Sequence, residues 1–209
     1  MVRRSIVAAA LAAASWHVCA FGAAASWLAE LRGGAAVPIH DELRDALGLE
    51  VGPAFGATLG WKASESFAFD LRFDALWLSG TATAVAISNH FYIWETDTSM
   101  ETYAISAGPT LHTDAWGLEL DLGLHPGLYL STFDAIDAVR GLDSMYASKD
   151  FSSSVSADFG FNAEVGARVP VTDSFLVGAE LAYHLVFVRD LADDTFGALI
   201  GSLSVAWRG

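Results

Sequence analysis

Residues Trp116–Leu130 read WGLELDLGLHPGLYL, and their side chains alternate between two chemical classes. The apolar members of one parity are Leu118, Leu120, Leu122, Leu124 and Leu128. The other parity holds Glu119, Asp121, Gly123, His125, Gly127 and Tyr129. Successive side chains of a β-strand point to opposite faces. The stretch therefore predicts a strand with hydrocarbon on one face and polar groups on the other.

The same period of two recurs along the chain. It predicts eight antiparallel strands, at Trp27–Val37, Glu50–Lys62, Phe67–Ser79, Thr102–His112, Trp116–Leu130, Val155–Val169, Phe175–Val188 and Phe196–Arg208. About ten residues suffice for a tilted strand to cross a bilayer, and lipid cannot satisfy an open sheet edge. The predicted fold is an all-β, eight-stranded antiparallel up-and-down transmembrane β-barrel.

Charged residues in these strands keep to the polar parity. A soluble sandwich or lipocalin is the alternative for many alternating strands. Its polar face would be rich in lysine, whereas here the apolar face is clean and the acids and arginines share the other face. We therefore predict a lumen charge network of Glu30, Arg32, Asp70, Arg72, Asp74, Glu119, Asp121, Asp158, Glu164, Arg168 and Glu180. His112, His125 and His184 have the same inward parity.

The composition agrees with a chain divided between lipid and water. Of the 209 residues, 53% are hydrophobic, yet the formal net charge is −14. Such acidity disfavours nucleic acid as a partner. A transmembrane barrel accounts for both the apolar composition and the net charge, because its outer surface faces lipid while its charged residues lie where lipid does not reach.

The first residues resemble a secretory signal. Arg3 and Arg4 precede an apolar run, Ile6–Ala14, and small residues lead to a predicted cleavage near Ala25. This divides the chain into a signal peptide, 1–25, and a barrel, 26–209. A membrane-anchoring helix is the alternative, because Ser5–Ala29 contains no charged residue. Cleavage would also remove Cys19, the single cysteine, and leave a barrel without disulfides.

Connection lengths predict an orientation. The connections after the second, fourth and sixth strands are short, and those after the first, third and fifth are long, at 38–49, 80–101 and 131–154. Outer-membrane barrels have short periplasmic turns and longer external loops, so both termini should be periplasmic. Within the long loops, Asp41–Leu47 and Phe133–Tyr146 have the pattern of short amphipathic helices.

Tryptophans are predicted to mark the membrane boundaries. Indole rings favour the headgroup level of a bilayer. Five tryptophans have outward parity and lie at the ends of predicted strands. They form a predicted aromatic girdle of Trp27, Trp61, Trp77, Trp116 and Trp207. Trp94 falls in a predicted loop.

Prolines interrupt three predicted strands. Pro53, Pro109 and Pro126 each remove a ladder donor, and each lies beside a glycine. We expect bulges or bends at these positions.

Residues 27–208 resemble the small outer-membrane β-barrel superfamily that includes OmpA-type and OmpX-type domains. The resemblance rests on the strands VGPAFGATLGW (51–61) and FAFDLRFDALW (67–77), and on the closing strand FGALIGSLSVAW (196–207). It implies the barrel fold and an outer-membrane location. In that family the final strand usually ends in an aromatic residue, whereas here Arg208 and Gly209 follow Trp207.

The lumen residues allow two interpretations. Side chains nearly fill an eight-stranded barrel, so a charged interior is most simply a plug of ion pairs. The excess of acids leaves a narrow channel for ions or small amphiphilic molecules as the alternative. A lipid A-modifying enzyme ranks third, because the apolar parity offers no serine–histidine–acid set. No cofactor and no dedicated metal site is predicted.

The favoured function is therefore structural or a surface interaction mediated by the external loops. Expected partners are outer-membrane lipid and lipopolysaccharide, and we expect a monomer. Acids at Asp134, Asp137, Asp143, Asp190, Asp193 and Asp194 could share divalent cations with lipopolysaccharide phosphates. The sequence names no surface protein partner.

Overall fold

A computed structural model describes residues 26–39, 48–87, 91–141, 149–187 and 195–209. Its strands are β1 (Trp27–Pro38), β2 (Gly52–Ser64), β3 (Phe67–Ile87), β4 (Phe91–Ala115), β5 (Leu118–Gly141), β6 (Lys149–Pro170), β7 (Phe175–Phe187) and β8 (Thr195–Arg208). The predicted signal peptide 1–25, the predicted helical turn Asp41–Leu47 and the acids Asp143, Asp190, Asp193 and Asp194 lie outside the described residues. No helix in the described part is long and apolar enough to cross a membrane.

The eight strands form a closed antiparallel barrel in chain order. Each strand pairs with the next, and β1 pairs with β8 to complete the ring, with Leu31 opposite Val205. Trp27 lies opposite Trp61 at the start of β1, and Trp27 N donates to Gly209 O there. The first and last described residues, Ser26 and Gly209, therefore lie at one end of the barrel, which we call the end with the termini, together with the turns at 65–66, 116–117 and 171–174. The predicted eight-stranded transmembrane barrel fold is confirmed.

The exterior of the barrel is apolar and the interior is polar. Leu128 is 70% exposed and Leu203 is 72% exposed, whereas Asp70 and Arg72 are each 2% exposed. A water-soluble barrel would have the reverse distribution, because apolar surface is expelled from water. The period-two pattern explains this distribution, because every second side chain of each strand points into the lumen along the length of the barrel.

The lumen has three layers along its axis. On β3, the charged residues Asp70, Arg72 and Asp74 are followed by buried Leu76 and Leu78 toward the end with long connections. These leucines belong to an apolar cluster completed by Ala36, Leu49, Ala54, Met100, Ala104, Tyr129, Ala182, Val186, Phe196, Ala198 and Ile200. A small cluster of Leu28, Leu176 and Ala206 lies at the end with the termini. The buried ion pairs therefore lie between these two apolar clusters.

Four strands are much longer than predicted. β3 to β6 contain 21 to 25 residues each, whereas β1, β2, β7 and β8 contain 12 to 14. The predicted loops 80–101 and 131–154 are thus largely strand, and Trp94 belongs to β4, opposite Val139 of β5. The predicted helical piece Phe133–Tyr146 is wrong over 133–141, which is strand, and its remainder is outside the described residues. The extensions lack the strict alternation of apolar and polar residues on which the strand prediction relied, so the pattern missed them.

Of the bulges or bends predicted at the prolines, bulges are absent from the described ladders at these positions. The register runs unshifted through Pro53 opposite Ala35, Pro109 opposite Phe69 and Pro126 opposite Phe161. Instead, the β4–β5 ladder lacks pairs between Ser106–Gly127 and Thr110–Gly123, the interval that contains Pro109 and Pro126. Pro109 and Pro126 each remove one backbone donor from this interval, and no residue is inserted. A register shift does occur at Lys62/Ser64, beside the turn at 65–66.

Candidate functional site: the lumen charge network

Ten of the eleven residues assigned to the lumen network are buried inside the barrel. They are Glu30, Arg32, Asp70, Arg72, Asp74, Asp121, Asp158, Glu164, Arg168 and Glu180. A buried charge is costly unless it is paired and hydrogen-bonded. The contacts of the three arginines therefore decide how this layer is stabilised.

Arg32 links β1 to β3 and β7. Its Nη2 donates to Asp74 Oδ1 at 2.7 Å, and its Nε lies 3.5 Å from Glu180 Oε1. Its Nη1 donates to Thr58 Oγ1 of β2. The planar guanidinium has five N–H donors, which suits a site where acceptors come from several walls.

Arg72 reaches across the lumen from β3. Its Nη2 donates to Glu180 Oε1 of β7 at 2.6 Å, and its Nη1 pairs with Glu164 of β6. β3 does not neighbour either strand in the sheet. Arg72 therefore joins opposite walls of the barrel through its centre.

Arg168 completes the network nearer the termini. Its Nη2 lies 2.7 Å from Glu30 Oε2 of β1, and its Nη1 lies 2.5 Å from Asp121 Oδ2 of β5. Asp121 also contacts His112 Nδ1 of β4. This group ties β6 to strands on both sides of the barrel.

Glu119 is the exception among the predicted network residues. It pairs with Arg208 of β8, and the side chains of the two residues are 16% and 32% exposed. Arg208 Nε also donates to the backbone oxygen of Asp173 in the turn 171–174. This pair lies at the mouth of the barrel rather than in its buried layer. Glu119 therefore takes part in an ion pair as predicted, but outside the buried layer.

Uncharged polar side chains extend the network. Sequence parity assigned Tyr129, His125 and His184 to the inward face but did not assign them to the charge network. Asn162 Nδ2 donates to His184 Nε2 at 3.0 Å and to Asp74 Oδ2 at 3.4 Å. Tyr129 Oη lies 3.1 Å from His184 Nδ1. Thr110 Oγ1 donates to Asp70 Oδ2 at 2.5 Å and lies 3.2 Å from His125 Nε2. The parity of these residues indicates that they face the lumen, but it does not predict which side chains contact one another.

The contacts leave little open space. A cavity lined by Arg32, Gly56, Asp74 and Glu180 has a volume of about 10 Å³. That is about the space of a single water molecule. Chemically, this arrangement can hold opposite walls of the barrel together. Asp70, His125 and Glu164 also bring potential metal-ligating atoms within 4.8 Å of one another.

The tryptophans assigned to the girdle lie on the outer surface. Trp27, Trp61 and Trp207 are exposed near the termini. Trp77 is half-buried near the other end, where its ring meets Tyr103 edge-on at 6.0 Å and Phe55 at 5.8 Å. Trp116 is 93% exposed and lies in the turn before β5, so its assignment to that strand was wrong.

No protein-family model matches the sequence, and neither does any curated protein. Solved structures do match. Neisserial surface protein A aligns with a TM-score of 0.51 and 14% identity, over 89% of this chain and 98% of that one. Ail, the attachment invasion locus protein of Yersinia pestis, aligns at 0.49 and 13% over 88% and 98%. The outer membrane protein OprG of Pseudomonas aeruginosa aligns at 0.47 and 11% over 87% and 95%.

The match to Neisserial surface protein A spans almost the whole of that barrel. It agrees with the closed ring of eight strands described above. The chain therefore has the fold of the small eight-stranded outer-membrane β-barrels, as its sequence resemblance predicted.

Proposed function

We propose that this chain is a bacterial outer-membrane barrel with a sealed lumen, and that its extended strands mediate interaction at the cell surface. The exposed apolar belt supports a membrane location. The turns at 65–66, 116–117 and 171–174 share one end with the termini. Because outer-membrane barrels have short turns on the periplasmic side, this end is assigned to the periplasm.

A sealed lumen is supported by the ion pairs across the barrel. Arg32 and Arg72 each contact acids on more than one wall, and the nearby cavity is the size of one water. The apolar cluster containing Leu49 and Leu76 covers the polar layer on the side of the long connections. An ion would have to break charged pairs and cross apolar side chains, which disfavours the alternative of a narrow channel.

The observation on which the interaction role rests is a sheet that extends beyond the barrel. β3–β4–β5–β6 stay paired as far as Ile87 opposite Phe91 and Ala138 opposite Lys149. β2 pairs with β3 only as far as Leu76, and β7 pairs with β6 only from Phe159. About ten residues per strand exceed what a membrane crossing needs, and they reach about 30 Å along the strand.

The extension is acidic. Segment 80–101 contains Glu95, Asp97 and Glu101 and no lysine or arginine, and segment 131–154 also has more acids than bases. Acidic groups beside lipopolysaccharide phosphates require a bridging divalent cation. The proposed role is therefore attachment to lipopolysaccharide at the cell surface through shared divalent cations.

The test is to replace residues 83–95 by Asn-Gly, which shortens the β3–β4 hairpin and supplies a two-residue turn. The shortened barrel is expected to fold and to bind lipopolysaccharide vesicles more weakly in the presence of calcium. The control is Asp173→Asn, which removes one acid at the opposite end of the barrel. Equal binding by the shortened and unmodified proteins would contradict the interaction role.

Conductance of the unmodified protein in planar bilayers tests the lumen separately. No discrete current steps are expected. Steps that change in size when Asp121 is replaced by asparagine would instead support the channel.

A further inference from the structure

Three buried side chains from different strands converge inside the polar layer of the lumen. Asp70 of β3, His125 of β5 and Glu164 of β6 each place a potential ligand atom within 4.8 Å of the others. We propose that these three residues bind a divalent transition-metal ion inside the barrel.

Hydrogen bonding leaves one ring nitrogen of His125 as a free ligand. Thr110 Oγ1 donates its proton to Asp70 Oδ2, so it can only accept from His125 Nε2. The proton of the neutral ring is then on Nε2, and Nδ1 has a lone pair. His125 is 0% exposed, and its Nδ1 has no hydrogen-bond partner among the described residues. Metal-binding histidines commonly donate their other N–H in this way, which fixes the ring.

Each of the two carboxylates has one oxygen in contact with a neighbouring side chain. Asp70 accepts from Thr110 through Oδ2, while its Oδ1 is buried without a hydrogen-bond partner in the described structure. Glu164 meets Arg72 through Oε2. Its Oε1 faces Gly123, where an added Cβ would lie 2.8 Å from that oxygen and would also meet His125 Cε1. Glycine at this position keeps the space beside the histidine and glutamate open.

The charge of the layer favours a cation. Among the described residues, seven carboxyl side chains are buried in the lumen with three guanidiniums, Arg32, Arg72 and Arg168. The carboxyl groups are Glu30, Asp70, Asp74, Asp121, Asp158, Glu164 and Glu180. Asp70 forms no ion pair with an arginine in the described structure. A divalent ion would offset part of the negative excess at the carboxylate that lacks a cationic partner.

The ligand set indicates the class of metal. One imidazole and two carboxylates suit zinc, manganese or iron(II) better than calcium, which takes oxygen ligands. Asp70, His125 and Glu164 are all buried, so the ion would enter as the barrel folds. Zinc is the appropriate probe because it has no redox chemistry.

The experiment uses untagged protein, unfolded with a chelator and refolded into detergent with or without Zn²⁺. After gel filtration, metal analysis is expected to give about one zinc per chain, and zinc should raise the urea midpoint of unfolding. Refolding with Co²⁺ should give the visible absorption of a cobalt–imidazole site. His125→Gln and Asp70→Asn should lose the zinc, the midpoint shift and the absorption band.

The matched control is His184→Gln, another buried lumen histidine, both of whose ring nitrogens have partners. It should keep the zinc. Gel mobility with and without heating shows whether each variant has folded, and Asp70→Asn decides the matter if His125→Gln does not fold. Zinc content at background in the unmodified protein, or equal loss in His184→Gln, would overturn the site. If the unmodified protein has only background zinc and Asp70→Asn is more stable than it, Asp70 is protonated instead of binding a metal ion, and the site is overturned.

Discussion

Arg72 of β3 and Glu180 of β7 join opposite walls of the barrel, with Arg72 Nη2 2.6 Å from Glu180 Oε1. The two strands are not neighbours in the sheet, so backbone hydrogen bonds do not hold them together. Glu164 of β6 contacts the same guanidinium. Side-chain ion pairs across the lumen therefore stabilise the barrel, in addition to the backbone hydrogen bonds between neighbouring strands.

Replacing Arg72 by methionine should destabilise the barrel strongly. Methionine keeps much of the volume but leaves Glu164 and Glu180 without this partner in a buried layer. Breaking a buried pair in this way costs about 3–5 kcal/mol. The free energy of unfolding can be measured by urea titration in vesicles with tryptophan fluorescence. Arg208→Met is the control, because its pair with Glu119 is partly exposed and should contribute less than about 1 kcal/mol. Similar losses in the two variants would contradict a sealed network.

Leu128→Arg should weaken the folded barrel by placing a charge in the apolar belt. Leu128 is exposed on β5, between Ile105 of β4 and Phe159 of β6. An arginine facing lipid near the midplane costs about 2–4 kcal/mol, and less near the interfaces. The same urea titration measures the loss. Val171→Arg provides the comparison, because Val171 is exposed in a turn at the barrel end. A Leu128→Arg protein as stable as the Val171 variant would show that this face does not meet lipid.

Gly117→Ala should destabilise the turn before β5. Trp116 and Gly117 have φ values of 56° and 79°, the left-handed pair of a type I′ hairpin turn. Alanine in this region costs about 1 kcal/mol or more. Gly201→Ala is the matched control, because a Cβ built there meets nothing within 4 Å and its φ is not in that region. Equal unfolding midpoints for the two variants would argue against the turn geometry.

The sequence predicted the direction of side chains more accurately than the ends of strands. Leu128 and Asp121 were assigned to opposite faces by parity alone, and their exposures agree. The extension of β3 to Ile87 was missed, because the strict alternation of apolar and polar residues does not continue beyond Ser79. The left-handed conformation at Trp116 was missed too, since tryptophan is an unusual residue for φ above zero.

The contacts of the candidate site could not be predicted in the same way. Parity assigned Arg72, Glu164 and Glu180 to the lumen, but 108 residues separate Arg72 from Glu180. Which inward groups meet depends on the stagger between strands around the closed ring. The convergence of Asp70, His125 and Glu164 depends on that stagger as well.

The sequence alone determined that eight alternating strands would put hydrocarbon outside and charge inside, because the period of two fixes each side chain's face before any partner strand is chosen. Only the tertiary structure decided which charges pair, which polar atoms remain without partners and how far four strands extend beyond the barrel. Those properties depend on register and closure, which bring together residues that no local pattern relates.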